Sequence, residues 1–429
     1  MDANKRKFLK MTGGVVAAIG LPAMGWYSSS LFAAAPIIPN RRKLVILHLD
    51  GGNDGVNTLI PIDPTQFGLY QSMRPDIYIP LANVLPVGFD ASGIRFGLHP
   101  AMASLMPYQS NLALFPATHT GVNSNRSHFF QHDMLDAGLF TGGAPSLDQK
   151  GWLGRYLDNK YLSPPGGIIA QDFAGGDQFL LDGNTFVLKF RDPAQQDLGT
   201  GSTTISTAMW NDIKLVSSGT TDPHLRTYSS EQHHVFDEVL PRLTAVNFNR
   251  LPGATYPTGL GSDFKKAADM LIALPELEVI HLSQGGYDTH STQGGVTGQQ
   301  ANILKTMADS MAAFYADLVN YDPALNSNVA VIVMSEFGRT VHQNQDKGTD
   351  HGQATSWMVF GGGIRGGVYG NYPGLELAKL EANDWLRTTI DYRDIFTELT
   401  GPRFLGATAA QANALFPGYA GATNPLNFT

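Results

Sequence analysis

Short apolar runs alternate with longer stretches of helical spacing along most of this chain. Lys43-Leu-Val-Ile-Leu-His-Leu49, Leu277–Leu282 and Asn328-Val-Ala-Val-Ile-Val-Met334 are brief and almost uniformly apolar. They predict strands buried on both faces. Asn111-Leu-Ala-Leu-Phe115 and Ser356-Trp-Met-Val-Phe360 predict two more. Ile303, Leu304, Met307, Met311, Phe314, Tyr315 and Leu318 recur at intervals that mark one face of a helix. Phe264–Leu274 and Asp391–Leu399 read as helices too. Ser127 is placed to cap a helix over Phe129–Gly138, with Gly138 as its stop. Residues 60–100 are proline-rich and read as irregular. Residues 140–260 lack a strong period and read as an insertion of short strands and long loops. Strands alternating with helices predict an α/β fold with a mostly parallel central sheet.

Polar residues gather just past three of these strand ends, where open α/β sheets place ligands. Asp50 and Asp54 flank a Gly-rich turn after the first strand. They either shape the turn or offer anionic oxygens to a cation. Gly286-Tyr-Asp-Thr-His290 follows the second, and Asp288 and His290, two apart, face one side of an extended segment. Glu336 and Arg339 follow the third, and Gly348-Thr-Asp-His-Gly352 comes a short loop later. Asp350 and His351 are adjacent and point apart, so one of them suffices as a ligand; His351 is favoured. The pattern predicts a metal-centred site at one edge of the sheet.

Asn125-Arg-Ser-His128 lies at a predicted helix N-terminus, where backbone N–H groups favour anions. Ser127 serves there as a cap or as a nucleophile, and Arg126 or His128 as a contact to an anionic substrate. Gly361-Gly-Gly-Ile-Arg-Gly-Gly367 comes too late, with no helix directly after it, to be a dinucleotide loop. His233-His234, beside Glu231 and Asp237, reads as an exposed helix face.

Composition narrows the chemistry. The chain has no cysteine, which excludes thiolate metal sites, disulfides and cysteine-derived nucleophiles. The net charge is −8, and no basic stretch beyond the N-terminus suggests nucleic acid. Lys5-Arg-Lys-Phe-Leu-Lys10, the Gly-interrupted stretch Met11–Ala23 and Ala33-Ala-Ala35 read as a signal peptide over residues 1–35, not a stable membrane anchor. Its order is that of a twin-arginine signal with Lys5 in place of the first arginine, so the export machinery is an expected partner. The expectation is a periplasmic or extracellular protein, exported folded, with residues 36–429 forming one domain.

Leu47–Asn57, Arg126–Phe129, Gly151–Tyr156, Gly286–His290, Ser335-Glu-Phe-Gly-Arg-Thr340 and Gly348–Gly352 together resemble the bacterial secreted family called domain of unknown function 1501. That family is similar to the alkaline phosphatase and sulfatase superfamily. The resemblance implies an alkaline phosphatase-like α/β sandwich with divalent metals at the strand C-termini and hydrolysis of phosphate or sulfate-type esters. It maps Asp54 or Asp50 onto the first-strand ligand, Ser127 onto the nucleophile, and Asp288, His290 and His351 onto one metal. Glu336 replaces an aspartate of the second metal, and Phe337 stands where that metal's histidine belongs. One divalent metal (zinc, manganese or calcium) is therefore expected, with a second site absent or weaker. The sulfatase nucleophile signature is missing. The expected function is a metal-dependent hydrolase of small anionic esters, with Arg126 or Arg339 holding the anion. The alternative is a non-catalytic secreted protein on the same scaffold, binding a glycan or another surface ligand.

Overall fold

The computed structural model describes residues 42–120, 125–140, 150–161, 167–174, 178–185, 187–189, 211, 239–422 and 425–429. Residues 1–35, expected as a signal peptide, His233-His234 with Glu231 and Asp237, and much of the 140–260 stretch expected as an insertion lie outside the described residues.

The strands, in chain order, are β1 (Lys43–Leu49), β2 (Leu59–Pro61), β3 (Leu85–Phe89), β4 (Arg95–Leu98), β5 (Leu112–His119), β6 (Ala170–Asp172), β7 (Leu188–Lys189), β8 (Val279–Gln284), β9 (Val329–Met334), β10 (Thr355–Gly361), β11 (Gly367–Val368) and β12 (Ile390–Asp391). The main sheet runs β11-β5-β10-β9-β1-β8-β6-β7, with β12 also on β5. β1 lies between β8 and β9 and is parallel to both. Among the described residues, only β10 pairs antiparallel within this sheet, to β5 and β9. The fold is α/β with a mostly parallel central sheet.

The helices that matter here are α1 (Pro64–Met73), α2 (His128–Ala137), α3 (Trp152–Lys160), α4 (Leu260–Ala273), α5 (Gln299–Tyr321) and α6 (Tyr392–Thr400). Alternation along β1 separates two cores. Val45, Leu47 and Leu49 pack with Phe264 of α4 and with Leu304, Met307, Met311 and Phe314 of α5. Leu44 and Ile46 join Leu135 of α2, Trp152 and Leu153 of α3, and Phe396 of α6. Side chains two apart share a face. His48 therefore continues the Leu44–Ile46 row, and His281 continues the row of Val279, both on the side where α2 packs.

α2 begins after Ser127 and ends at Gly138, whose φ of 72° is the left-handed conformation that glycine adopts freely. The expected irregularity of residues 60–100 is overturned in part. Asp63 caps α1 through bonds from Thr65 N and Gln66 N, and Pro64 opens it. β2, β4 and β3 form a separate antiparallel sheet. Proline density concealed a Pro-first helix. Among the described residues, no helix is long and apolar enough to cross a membrane.

Asp54 is fixed by this framework. It caps the short helix Gly55–Thr58 and accepts 2.6 Å bonds from Arg74 and from Gln293. Arg74 is wholly buried and spends its remaining donors on Asn57, Thr340 O and Val341 O. Removing one member of such a pair leaves a buried charge alone. Asp54→Ala is expected to cost about 3–5 kcal/mol in urea unfolding. The double replacement Asp54→Leu/Arg74→Met is expected to cost less than either single change. A single-mutant cost under about 1 kcal/mol would mean that water reaches the pair.

Candidate metal centre

Three parallel strands end side by side, and their C-terminal loops deliver the polar residues. β1 leads into Asp50 and Gly51, β8 into Asp288 and His290, and β9 into Ser335 and Glu336. The loops fit closely. A Cβ on Gly51 (φ +120°) would lie 2.4 Å from Asp288 N, and one on Gly348 would lie 2.3 Å from the His290 carbonyl carbon. Glycine is required for the backbones to approach this far.

His128, Asp288 and His351 bring ligand atoms within 4.8 Å of one another at the solvent-facing side. His128 Nε2 stands 3.1 Å from His351 Nε2, which stands 3.1 Å from Asp288 Oδ1. His290 Nε2 extends the group, 3.1 Å from His351 Nε2 and 2.9 Å from Asp288 Oδ1. The other nitrogen of each ring points outward. His351 Nδ1 donates to Arg126 O at 2.9 Å, His290 Nδ1 to Asp350 Oδ1 at 2.9 Å, and His128 Nδ1 to Glu336 Oε1 at 2.7 Å. A carbonyl or a carboxylate can only accept, so each neutral ring turns an unshared pair inward. Three such nitrogens and a carboxylate repel one another unless a cation stands among them. Outer bonds of this kind orient and strengthen metal-binding imidazoles. The donor set therefore fits a divalent metal of the zinc type.

A second group lies deeper. His48 and Glu336 are fully buried, His132 nearly so, and their ligand atoms also fall within 4.8 Å. His132 Nε2 is 3.6 Å from both Glu336 Oε1 and Asp50 Oδ1, and its ring centroid is 4.2 Å from that of His48. Burial alone would raise the Glu336 pKa. Hydrogen bonds from His128 and His132 overcome that and hold it well below the ordinary range. Burial would lower the His132 pKa, but Glu336 and Asp50 raise it to about 9. Burial and repulsion from His132 push His48 far down, so it stays neutral.

The expected site residues sort unevenly. His128, Asp288, His290 and His351 converge; Glu336 joins the inner group, with Asp50 at its edge. Asp350 does not face the outer group but orients His290. Asp54 stands apart, because Arg74 and Gln293 occupy its carboxylate. Arg339 does not face a substrate. Its buried guanidinium bonds Asp288 Oδ1 at 2.7 Å and Gly51 O at 3.2 Å and also donates to Thr349 O. Nor does it pair with Glu336, whose cationic partner is His132. Arg126 does lie at the surface, its guanidinium 4.2 Å from the Trp385 ring centre and bonded to His351 O at 3.0 Å. Ser127 is exposed and makes no capping bond through its hydroxyl. His48 and His132 were not singled out from the sequence. The signals were present: His132 follows His128 by one helical turn, and His48 breaks an apolar strand.

In metal-free protein, Glu336 contributes stability above its ordinary pKa of 4.5 that is lost on acidification. Raised His132 contributes stability that is complete below 6.5 and lost as pH rises through about 9. The stability gap between wild type and Glu336→Gln is therefore expected to be widest from about pH 4.5 to 6.5 and to narrow on both sides. Chelator-treated samples followed by urea unfolding across pH check this; a flat gap would refute the pairing.

No curated protein matches the sequence. Solved structures similar to the chain include the soluble domain of lipooligosaccharide phosphoethanolamine transferase A from Neisseria meningitidis, at 9% identity over 77% of this chain and 79% of that one, with a TM-score of 0.33. The phosphonate monoester hydrolase of Agrobacterium radiobacter is similar at 12% identity, 74% and 68% coverage and a TM-score of 0.27. A TAB5 alkaline phosphatase mutant with Mg bound in its M3 site is similar at 10% identity, 77% and 94% coverage and a TM-score of 0.28. Likenesses this loose carry no chemistry across, and the reading of the centre rests on its own side chains. The sequence itself matches, over residues 99–411, the family described as "Protein of unknown function (DUF1501)". That span includes α2, both histidine groups apart from His48, and the loops after β8 and β9, so the chain belongs to the DUF1501 family.

Proposed function

We propose that the protein is an exported, metal-dependent hydrolase of phosphate or related esters. The observation that carries this reading is the inward convergence of unshared pairs from His128, His290 and His351 beside the Asp288 carboxylate. These four residues would hold a divalent metal at a surface open to solvent. Asp288 is 45% exposed and His290 46%, so a small substrate can reach them. A metal held there would supply Lewis acidity to the ester.

This chain's residues supply the rest. Ser127 sits at the N-terminus of α2, where the backbone dipoles favour an anion. Its hydroxyl is not consumed as a cap and is available as a nucleophile, with a bound water as the other candidate. Arg126 holds cationic charge beside His351 and is the guanidinium left to receive the anionic group, because Arg339 is spent internally. Arg339 instead keeps Asp288 ionised and in place. Burial would raise the Asp288 pKa, and the bond from Arg339 lowers it below the usual value.

Turnover of a generic phosphate monoester tests the reading. Ser127→Ala is expected to abolish it while leaving bound metal unchanged. Arg126→Ala is expected to lower it by about 10²-fold, the scale of losing one donor to transition-state charge. His351→Ala is expected to lose both metal and turnover. Metal-loaded wild type that turns over neither phosphate nor sulfate esters would favour the non-catalytic alternative. Export is tested separately by replacing Lys5 and Arg6 with glutamine. The precursor is then expected to accumulate in the cytoplasm, and undiminished periplasmic protein would reject the signal.

A further inference from the structure

We propose that His48, His132 and Glu336 form a second metal site, buried beneath the first, with Asp50 as its solvent-side neighbour. The proposal deepens the function above and depends on it only for the existence of the outer site.

The first argument is His48. It is fully buried in β1, and neither ring nitrogen has a hydrogen-bond partner. A buried polar group left unsatisfied costs about 1–3 kcal/mol. Packing alone would be served better by another leucine or valine in this row. His132 repeats the pattern: its Nδ1 is buried and unpartnered too. One wholly unpartnered imidazole, 4.2 Å between ring centres from a second whose Nε2 faces Glu336 and Asp50, leaves ring nitrogens beside a buried carboxylate that a cation would answer.

The second argument is spacing. Donor atoms on a tetrahedral zinc about 2.0–2.1 Å away stand about 3.3 Å apart. His132 Nε2 lies 3.6 Å from Glu336 Oε1 and 3.6 Å from Asp50 Oδ1. Shifts of a few tenths of an ångström bring those pairs to zinc-bound spacing, and His48 offers a ring nitrogen within 4.8 Å of the His132 and Glu336 ligand atoms. Two imidazoles and a carboxylate suit zinc or a similar transition metal better than calcium.

The third argument is Phe337. Its buried ring lies 4.8 Å from the rings of both His128 and His351, and it cannot ligate. The inner ligands come instead from β1 and from α2, one turn along from His128. Glu336 Oε1 also accepts from His128 Nδ1, so one carboxylate would serve the inner metal and orient a ligand of the outer one.

The experiment counts metal. Chelator-stripped full-length mature protein is titrated with zinc, desalted and assayed for zinc per chain. Cobalt loading gives a second readout through its visible absorption bands. Two equivalents are expected in wild type, and one each in His48→Gln, His132→Asn and His351→Ala. The one lost in His351→Ala should be the equivalent that dilute chelator removes fastest from wild type. A single equivalent in wild type that survives His48→Gln and vanishes in His351→Ala would overturn this proposal and leave the outer site standing. A single equivalent with the opposite sensitivity would support the inner site and sink the outer one. No zinc in wild type would reject both. Circular dichroism checks folding; if both inner variants unfold, a wild-type count of two with one equivalent kept in His351→Ala supports the proposal, and a count of one that is lost in His351→Ala overturns it.

Discussion

A charged carboxylate sealed at the end of a parallel sheet is the constraint around which this structure is arranged. Glu336 has no access to solvent, so every oxygen must be answered from within the protein. Oε1 accepts from Gly51 N at 2.8 Å and from His128 Nδ1 at 2.7 Å, and Oε2 from the Ser335 hydroxyl at 2.9 Å. These bonds tie the loop after β1, the start of α2 and the end of β9 to one point. Ser335 tightens the knot: its hydroxyl oxygen accepts from Asn53 N, and its single proton is shared between Glu336 Oε2 and Leu49 O, the latter at 2.8 Å. Moving Glu336 would therefore unseat both histidine groups at once.

A second buried network works from the opposite side. Gln293 gives its amide to Asp54, and its carbonyl accepts from Thr289 and Thr349 at 2.8 Å. Thr349 is in turn bonded by Arg339, which reaches Asp288. Asp54 and Arg339 thus brace the loops that carry Asp288 and Thr349. Their burial makes them dependable supports, because a fully desolvated polar network has few alternative arrangements of comparable energy. This explains how exposed side chains such as Asp288 and His290 hold position on loops.

The core elements were legible because their signals are local. The β9 run, Val329–Met334, and the α5 face need no distant partner to be recognised, and the structure places both as expected. The loops after β1, β8 and β9 could be read as convergent because sheet topology puts parallel strand ends together. What the sequence hid was partnership across distance. Whether Asp50 or Asp54 faces the centre depends on Arg74, twenty positions on from Asp54, and nothing local marks that pairing. Arg339 looked like a substrate clamp because charge near a strand end reads the same whether it faces a cleft or a buried threonine. His48 and His132 carry weak signals for a different reason. One sits in an apolar strand and the other inside a helix, where packing alone accounts for a lone histidine.

Phe337 shows why matching position to position misleads at such a site. Judged by spacing alone, it is a ligand lost. In the structure it is packing gained, since its ring lies against His128 and His351 and fills the space in which a Cβ on Gly52 would come within 2.5 Å. A histidine there would give up that apolar wedge and place a third polar ring among groups already crowded with unshared pairs. The imidazole nearest the free side of Glu336 is that of His132, which α2 carries on the same side as His128. A helix can do this because residues four apart lie one turn apart on one face. The site is therefore better described by the elements that converge on Glu336 than by any linear motif. Side chains from neighbouring elements can present polar atoms to the same point, so long as the buried carboxylate remains answered.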